Sequence, residues 1–266
     1  MPIAQDILHA SDEWAIRTFG LGYLRLARDP LIAERCGYVV GELAKLGFDR
    51  PFELLDVGCG SGMLLPHLAA RFGGHLRRYV GIDHDTPSRL EERYRKIAAP
   101  HEFHKVDLDT EWDVGRFDAV VCLEVIEHLT NDRALFRKLA RAVAPGGHLI
   151  LTTPSEPFVK KMGQHIPAFD DISKVQDGGH VRMGYLRETL AEMAQENGLT
   201  IVARGSLSSF APDDLAFYMR YNSTVGYCIY NLLHNRRTAR QKSVEDDGSA
   251  AQAETYWSLG IVCRKT

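Results

Sequence analysis

The chain contains no apolar run approaching the ~18 residues that a membrane-crossing helix requires, so no transmembrane segment is expected. Its opening residues, Met1-Pro-Ile-Ala-Gln-Asp6, offer neither a basic stretch nor a long apolar core, so no secretory leader is expected. Cysteine is scarce and odd in number: five, scattered at positions 36, 59, 122, 228 and 263. That argues against a disulfide framework and reads as reduced, small apolar residues in a cytoplasmic protein. Neither sign of charge is in excess. The 32 Lys and Arg against 35 Asp and Glu leave a net −3, which removes any global pull toward nucleic acid or anionic lipid. No internal repeat is visible. What remains is a 266-residue chain, 45% hydrophobic and 25% charged, long for one globular domain and short for two.

The most informative stretch is Glu53-Leu-Leu-Asp-Val-Gly-Cys-Gly-Ser-Gly62. Phe52, Leu54, Leu55 and Val57 form a short apolar run that reads as a buried parallel strand. Gly58, Gly60 and Gly62 follow, and then Met63, Leu64, Leu65 and Leu68 at helical spacing. Strand, glycine turn and helix together let a ligand lie against backbone N–H groups at a helix N-terminus, where a Cβ would push it away. The spacing is GxGxG. Met63 stands where a dinucleotide fingerprint needs its third glycine, which argues against a nicotinamide oxidoreductase.

Acidic residues then recur at the ends of apolar runs: Tyr79-Val-Gly-Ile-Asp83, Phe103-His-Lys-Val-Asp107, and Phe117-Asp-Ala-Val-Val-Cys-Leu-Glu124. Taken singly, Asp83 or Asp107 reads as a solvated strand end or a helix cap. As a series they mark the carboxyl ends of successive parallel strands, where such sheets bind ligands. With Ala144-Pro-Gly-Gly-His-Leu-Ile-Leu-Thr-Thr-Pro154, this ordered set resembles the class I S-adenosylmethionine-dependent methyltransferases over about residues 50–205.

The resemblance implies an α/β fold: a doubly wound, mostly parallel, seven-stranded sheet with N-terminal helices and a helical insertion before an antiparallel last strand. It also implies a set of contacts to S-adenosylmethionine. Gly58, Gly60 and Gly62 pass under the cofactor with Asp56 bracing the loop, and Asp83, with His84 beside it, takes the ribose hydroxyls. Asp107 and Leu108 flank the adenine, and Leu123 and Glu124 lie near the methionine arm.

Glu124-Val-Ile-Glu127-His128, with His180 some fifty residues on, adds two carboxylates and two imidazoles at one mouth. Such a mixed O/N set could hold Mg or Zn, which would lower the pKa of an acceptor hydroxyl. The pattern resembles the ubiquinone-pathway O-methyltransferases and, more distantly, small-RNA 2′-O-methyltransferases. Two other readings stand beside the metal. Glu127 can be a carboxylate at a helix N-terminus, and His128 or His180 can be a general base without metal. Arg182 can pair with an anionic substrate group or with Glu188.

Hydroxyl acceptors need a base or metal near the methyl, so O-methylation of a small aromatic or secondary-metabolite-like molecule is expected. Leu123-Glu-Val-Ile126 is not the Asn/Asp-Pro-Pro-aromatic motif of enzymes that methylate nucleobase or amide nitrogen. An RNA 3′-terminal ribose is the alternative, disfavoured by overall charge but kept open by Arg236, Arg237, Arg240 and Lys242. A non-catalytic cofactor-binding subunit is a further alternative. Oligomeric state is not legible.

Four regions follow. Residues 1–50 form a helical cap carrying Trp14, Phe19, Leu21, Leu24 and Leu26 and then Val39, Val40, Leu43 and Leu46. Residues 51–205 form the cofactor-binding core, 206–255 an insertion or lid, and 256–266 the final strand. Within the core the pattern predicts a helix over Asp132–Val143 stopped by Pro145-Gly-Gly147, and strands over 148–153 and 199–203. Residues 217–233 read as aromatic and helical, either core or a surface for acceptor, lipid or partner. Residues 235–255 read as a polar, mobile excursion.

Overall fold

A computed structural model describes residues 30–84, 90–163, 180–209 and 243–266. The apolar runs become strands because both of their sides are covered. β1 (Phe52–Val57), β2 (Leu76–Asp83), β3 (His101–Lys105), β4 (Phe117–Leu123) and β5 (Val143–Pro154) pair in parallel. β6 (Leu199–Ser209), β7 (Val244–Glu245) and β8 (Tyr256–Lys265) add antiparallel pairings, giving the order β3-β2-β1-β4-β5-β8-β6-β7.

Alternation along each strand feeds two cores. On β4, Val120 and Cys122 face one side, packed with Leu135, Phe136 and Leu139 of α4 (Asp132–Ala142) and Leu190 and Met193 of α6 (Arg187–Glu196). Ala119 and Val121 face the other, with Val39 and Leu43 of α1 (Pro30–Lys45), Leu65 and Leu68 of α2 (Leu64–Phe72), and Leu90 and Tyr94 of α3 (Leu90–Tyr94). Helices therefore cover both faces of a mixed sheet. Two short helices complete the described fold, α5 (Glu156–Gly163) and α7 (Ala250–Ala253).

Some expectations need correction. The sheet has eight strands, not seven, because Val244-Glu245 pairs along the outer edge of β6 opposite Ser206 and Gly205. β6 continues past Ala203 to Ser209, held throughout by β8. Pro145-Gly-Gly147 does not separate helix from strand: α4 ends at Ala142 and β5 begins at Val143, its register with β4 shifting between Phe117 and Ala119.

The described part of the polar excursion, 243–255, is tied down. Arg187 grips Asp246 through two nitrogens, with the Asp246 side chain 2% exposed, and Ser249 caps α7 by accepting the Gln252 N–H. Trp14, Phe19, Leu21, Leu24 and Leu26, the aromatic segment 217–233 and the basic cluster at Arg236, Arg237, Arg240 and Lys242 lie outside the described residues.

Among the described residues no helix is long and apolar enough to cross a membrane. Cys59, Cys122 and Cys263 are free thiols, buried as Cys36 also is, and Cys228 lies outside the described residues. Burial pushes the Cys263 thiol up to about 12, so it is an inert core group.

Candidate active site

The carboxyl ends of β1, β2, β4 and β5 meet at one mouth, and the glycine turn opens it. Gly58, Gly60 and Gly62 all have positive φ (74°, 50° and 71°), a backbone that side chains resist. Their surroundings differ. A Cβ on Gly58 would lie 2.2 Å from Val125 Cγ2, and one on Gly62 2.8 Å from the Tyr94 ring, whereas one on Gly60 would meet nothing within 4 Å. Gly58 and Gly62 are thus required by packing, and Gly60 faces open space.

The contrast predicts two outcomes. Gly58→Ala combines left-handed strain with overpacking and should cost about 2–4 kcal/mol of stability by chemical denaturation. Gly60→Ala should cost only about 1–2 kcal/mol yet weaken binding of a ligand laid on the turn by tenfold or more.

Asp83 ends β2 and is nearly buried. Its Oδ2 accepts the Gly60 N–H at 2.9 Å, and its Oδ1 lies 3.1 Å from Nδ1 of the exposed His84. The carboxylate therefore fixes the open glycine from beside the space above it. Beneath the turn, Asp56 is buried and accepts the Tyr79 hydroxyl at 2.6 Å. Burial raises its pKa to about 7, opposed by the Tyr79 hydrogen bond and reinforced by the charge of Asp83. A raised carboxyl pKa means that the contribution of Asp56 to stability is intact below about pH 4 and is lost as pH climbs to about 7. Asp56→Asn keeps an acceptor for Tyr79, so it should melt above the parent at pH 8 and lose that advantage at pH 5, as differential scanning calorimetry can check.

Asp107 is exposed and lies two residues beyond the end of β3. There it caps its own turn, accepting the Asp109 N–H on its side chain and the Thr110 hydroxyl on its carbonyl. Leu108 is buried.

Glu124 follows Leu123 at the end of β4 with φ +53°, one of two non-glycine residues with positive φ among the described residues; the other is Ser208. Its Oε2 accepts from Arg35 of α1 at 3.0 Å and from Ser258 of β8 at 3.1 Å, while Oε1 is buried without a hydrogen-bond partner. Val125 leads into a single tight turn, Ile126–His128. Glu127 is wholly buried; Oε2 accepts the Thr153 hydroxyl at 3.1 Å and Oε1 has no partner. Burial, and then the charge of Glu124, pushes its carboxyl well above the usual carboxylate range.

The His128 and His180 rings stand edge to face with centroids 4.4 Å apart. Ligand-type atoms of Glu127, His128 and His180 lie within 4.8 Å of one another. Glu124 is outside that cluster, drawn toward Arg35. The buried, unpartnered Oε1 of Glu127 beside two imidazoles forms a donor set that suits a divalent cation, since a lone buried carboxylate is costly.

Arg182 is engaged by the turn after β4 and by Tyr185 rather than by Glu188. Its guanidinium donates to the carbonyls of Ile126, Leu129 and Thr130 and sits 3.2 Å from Asp132, while the Val181 N–H donates to the Glu127 carbonyl. These bonds fasten the His180 segment to the turn bearing Glu127 and His128. Sequence reading missed Arg35, Thr153 and Ser258 because each meets its partner only after elements distant in sequence come together. Thr153 alone left a signal, as a polar residue ending an apolar run.

Comparison with known proteins places this geometry. Residues 31–204 match a family model described as a methyltransferase domain. A ubiquinone biosynthesis O-methyltransferase from Alkalilimnicola ehrlichii is 36% identical over 111 residues, 38% of this chain and 40% of that protein. One from Aliivibrio fischeri is 26% identical over 187 residues, 68% of this chain and 77% of that one. The chain thus spans about two fifths of the first relative and three quarters of the second. Among solved structures, the magnesium protoporphyrin IX methyltransferase of Synechocystis with bound S-adenosylhomocysteine superposes with a TM-score of 0.57 at 16% identity, covering 95% of this chain and 96% of that one. An N-methyltransferase from Bradyrhizobium japonicum gives a TM-score of 0.51 at 18% identity, covering 86% of each chain. With its family model spanning well over half of the sequence and its sheet in the same arrangement, the chain belongs to the methyltransferase-domain family.

Proposed function

We propose that the protein is an S-adenosylmethionine-dependent methyltransferase that transfers to a hydroxyl of a small aromatic or secondary-metabolite-like acceptor. One observation carries the reading. The open-faced Gly60 held by Asp83 and the Glu127/His128/His180 cluster lie at the carboxyl ends of neighbouring strands in one sheet. The fit to the cofactor rests on the uncovered face of Gly60, and the family membership and the O-methyltransferase relatives support the same choice.

Bound S-adenosylmethionine supplies an already activated methyl, which leaves alignment and deprotonation to the protein. Gly58, Gly60 and Gly62 shape the floor of its site. The Asp83 carboxylate, with His84 beside it, holds the ribose hydroxyls, and Asp107 with Leu108 walls the adenine. Leu123 and Glu124 border the methionine arm. A ring nitrogen of His128 or His180 takes the proton of the acceptor hydroxyl. Glu127, His128 and His180 are the residues that would hold Mg or Zn, whose charge would acidify that hydroxyl. The free, buried thiols of Cys59, Cys122 and Cys263 suit the reducing cytoplasm as its compartment.

The test is a methyl-transfer assay with isotopically labelled S-adenosylmethionine against catechols and other phenols, amines and a short RNA. Label on a phenolic oxygen supports the reading, label on nitrogen removes the choice of acceptor atom, and label on an RNA 3′ ribose replaces the small molecule. No stabilisation of the protein by S-adenosylhomocysteine would remove the cofactor as well.

A further inference from the structure

α4 carries a lysine on its inward face. Lys138 is 2% exposed, among Leu135, Leu139 and Ala142, where an ammonium is expensive unless fully used. It donates to the carbonyls of Leu108 and Thr110, both at 2.6 Å, and its Nζ lies 5.7 Å from the centre of the Trp112 ring. One turn on, Arg141 donates to the Trp112 carbonyl and to Glu111. The segment after β3 is thus grasped from below at Leu108, Thr110 and Trp112, and its own turn at Asp107 completes its shape.

A buried cation that spends its donors on backbone carbonyls of a loop fixes where that loop stands, because withdrawing it leaves the buried Leu108 carbonyl without a donor. We propose that Lys138 is a positioning residue for the adenine end of the cofactor site: it sets the wall formed by Asp107 and Leu108 without touching the ligand. The inference rests on the cofactor reading above, and it adds a residue on the opposite side of that wall from the ligand.

The experiment is calorimetric titration of the full chain with S-adenosylhomocysteine and with its hypoxanthine counterpart, S-inosylhomocysteine. Lys138→Met should raise the Kd for S-adenosylhomocysteine tenfold or more and shrink the preference for adenine over hypoxanthine. Lys138→Arg, which keeps the charge and the donors in a larger side chain, should lie closer to the parent than Lys138→Met on both measures. Lys138→Gln, which keeps a donor and loses the charge, should fall between and serves if the Met variant does not fold. A folded Met or Gln variant with the parent's Kd and the parent's base preference overturns the proposal, since loss of stability alone would leave base discrimination unchanged. If the parent itself binds neither ligand, the cofactor reading fails, and this inference with it.

Discussion

Asp83→Ala should bind S-adenosylhomocysteine at least 100-fold more weakly than the parent. Two contributions add. A carboxylate that takes both hydroxyls of a ribose makes charge-assisted hydrogen bonds, each contributing about 1.5–3 kcal/mol, and about 1.4 kcal/mol corresponds to tenfold in Kd. The same side chain accepts the Gly60 N–H, so its removal also loosens the open-faced glycine on which the ligand rests. Asp83→Asn separates the two. It can still accept from Gly60 but lacks the charge, so its affinity should lie between that of the parent and that of the alanine variant. Isothermal calorimetry on all three proteins checks this. An alanine variant within threefold of the parent would remove Asp83 from the ribose.

The second large effect concerns the Glu127/His128/His180 cluster. His128→Ala should cut turnover by about 10²–10⁴-fold, the usual range for a missing base, while leaving S-adenosylhomocysteine affinity within a few-fold. Glu127→Gln should lose turnover and gain stability. Its carboxylate is wholly buried beside Glu124, and the amide keeps an acceptor for Thr153 without the charge. A rise in Tm of about 2–4 °C, or about 1 kcal/mol, is expected for the unliganded protein. If a cation belongs there, adding Zn²⁺ or Mg²⁺ should raise the Tm of the parent and leave that of the Gln variant unmoved. Full turnover after exhaustive chelation would leave the histidines as unaided bases.

Much of this was legible in the chain because its chemistry is periodic or local. The four inner parallel strands announce themselves as apolar runs, since a strand covered on both faces has no polar side to show. The glycine turn is legible because positive φ selects glycine three times in five residues. Glu127, His128 and His180 were readable as a group, and they do come together.

What escaped reading depends on pairings across long separations. Glu124 was grouped with the cluster, yet its charge is committed to Arg35, 89 residues away, a partner that no local pattern identifies. Arg182 looked available because most of its partners are backbone carbonyls, which every residue carries. The two-residue β7 is shorter than any periodicity can register. Lys138 did leave a trace, as a charged residue on the apolar face of α4.

The tethering of Glu124 constrains how the molecule comes into being. That one side chain, at the end of a central strand, is held from α1 by Arg35 and from the last strand by Ser258, 134 residues further along. Contacts of such separation are among the slowest to form, because a long loop must close before they yield any stabilisation. On the ribosome the central strands can pair well before residue 258 emerges. Reactivity should therefore be acquired only once β8 has joined the sheet, and a chain in which that strand is not yet paired would be folded at its centre yet chemically silent.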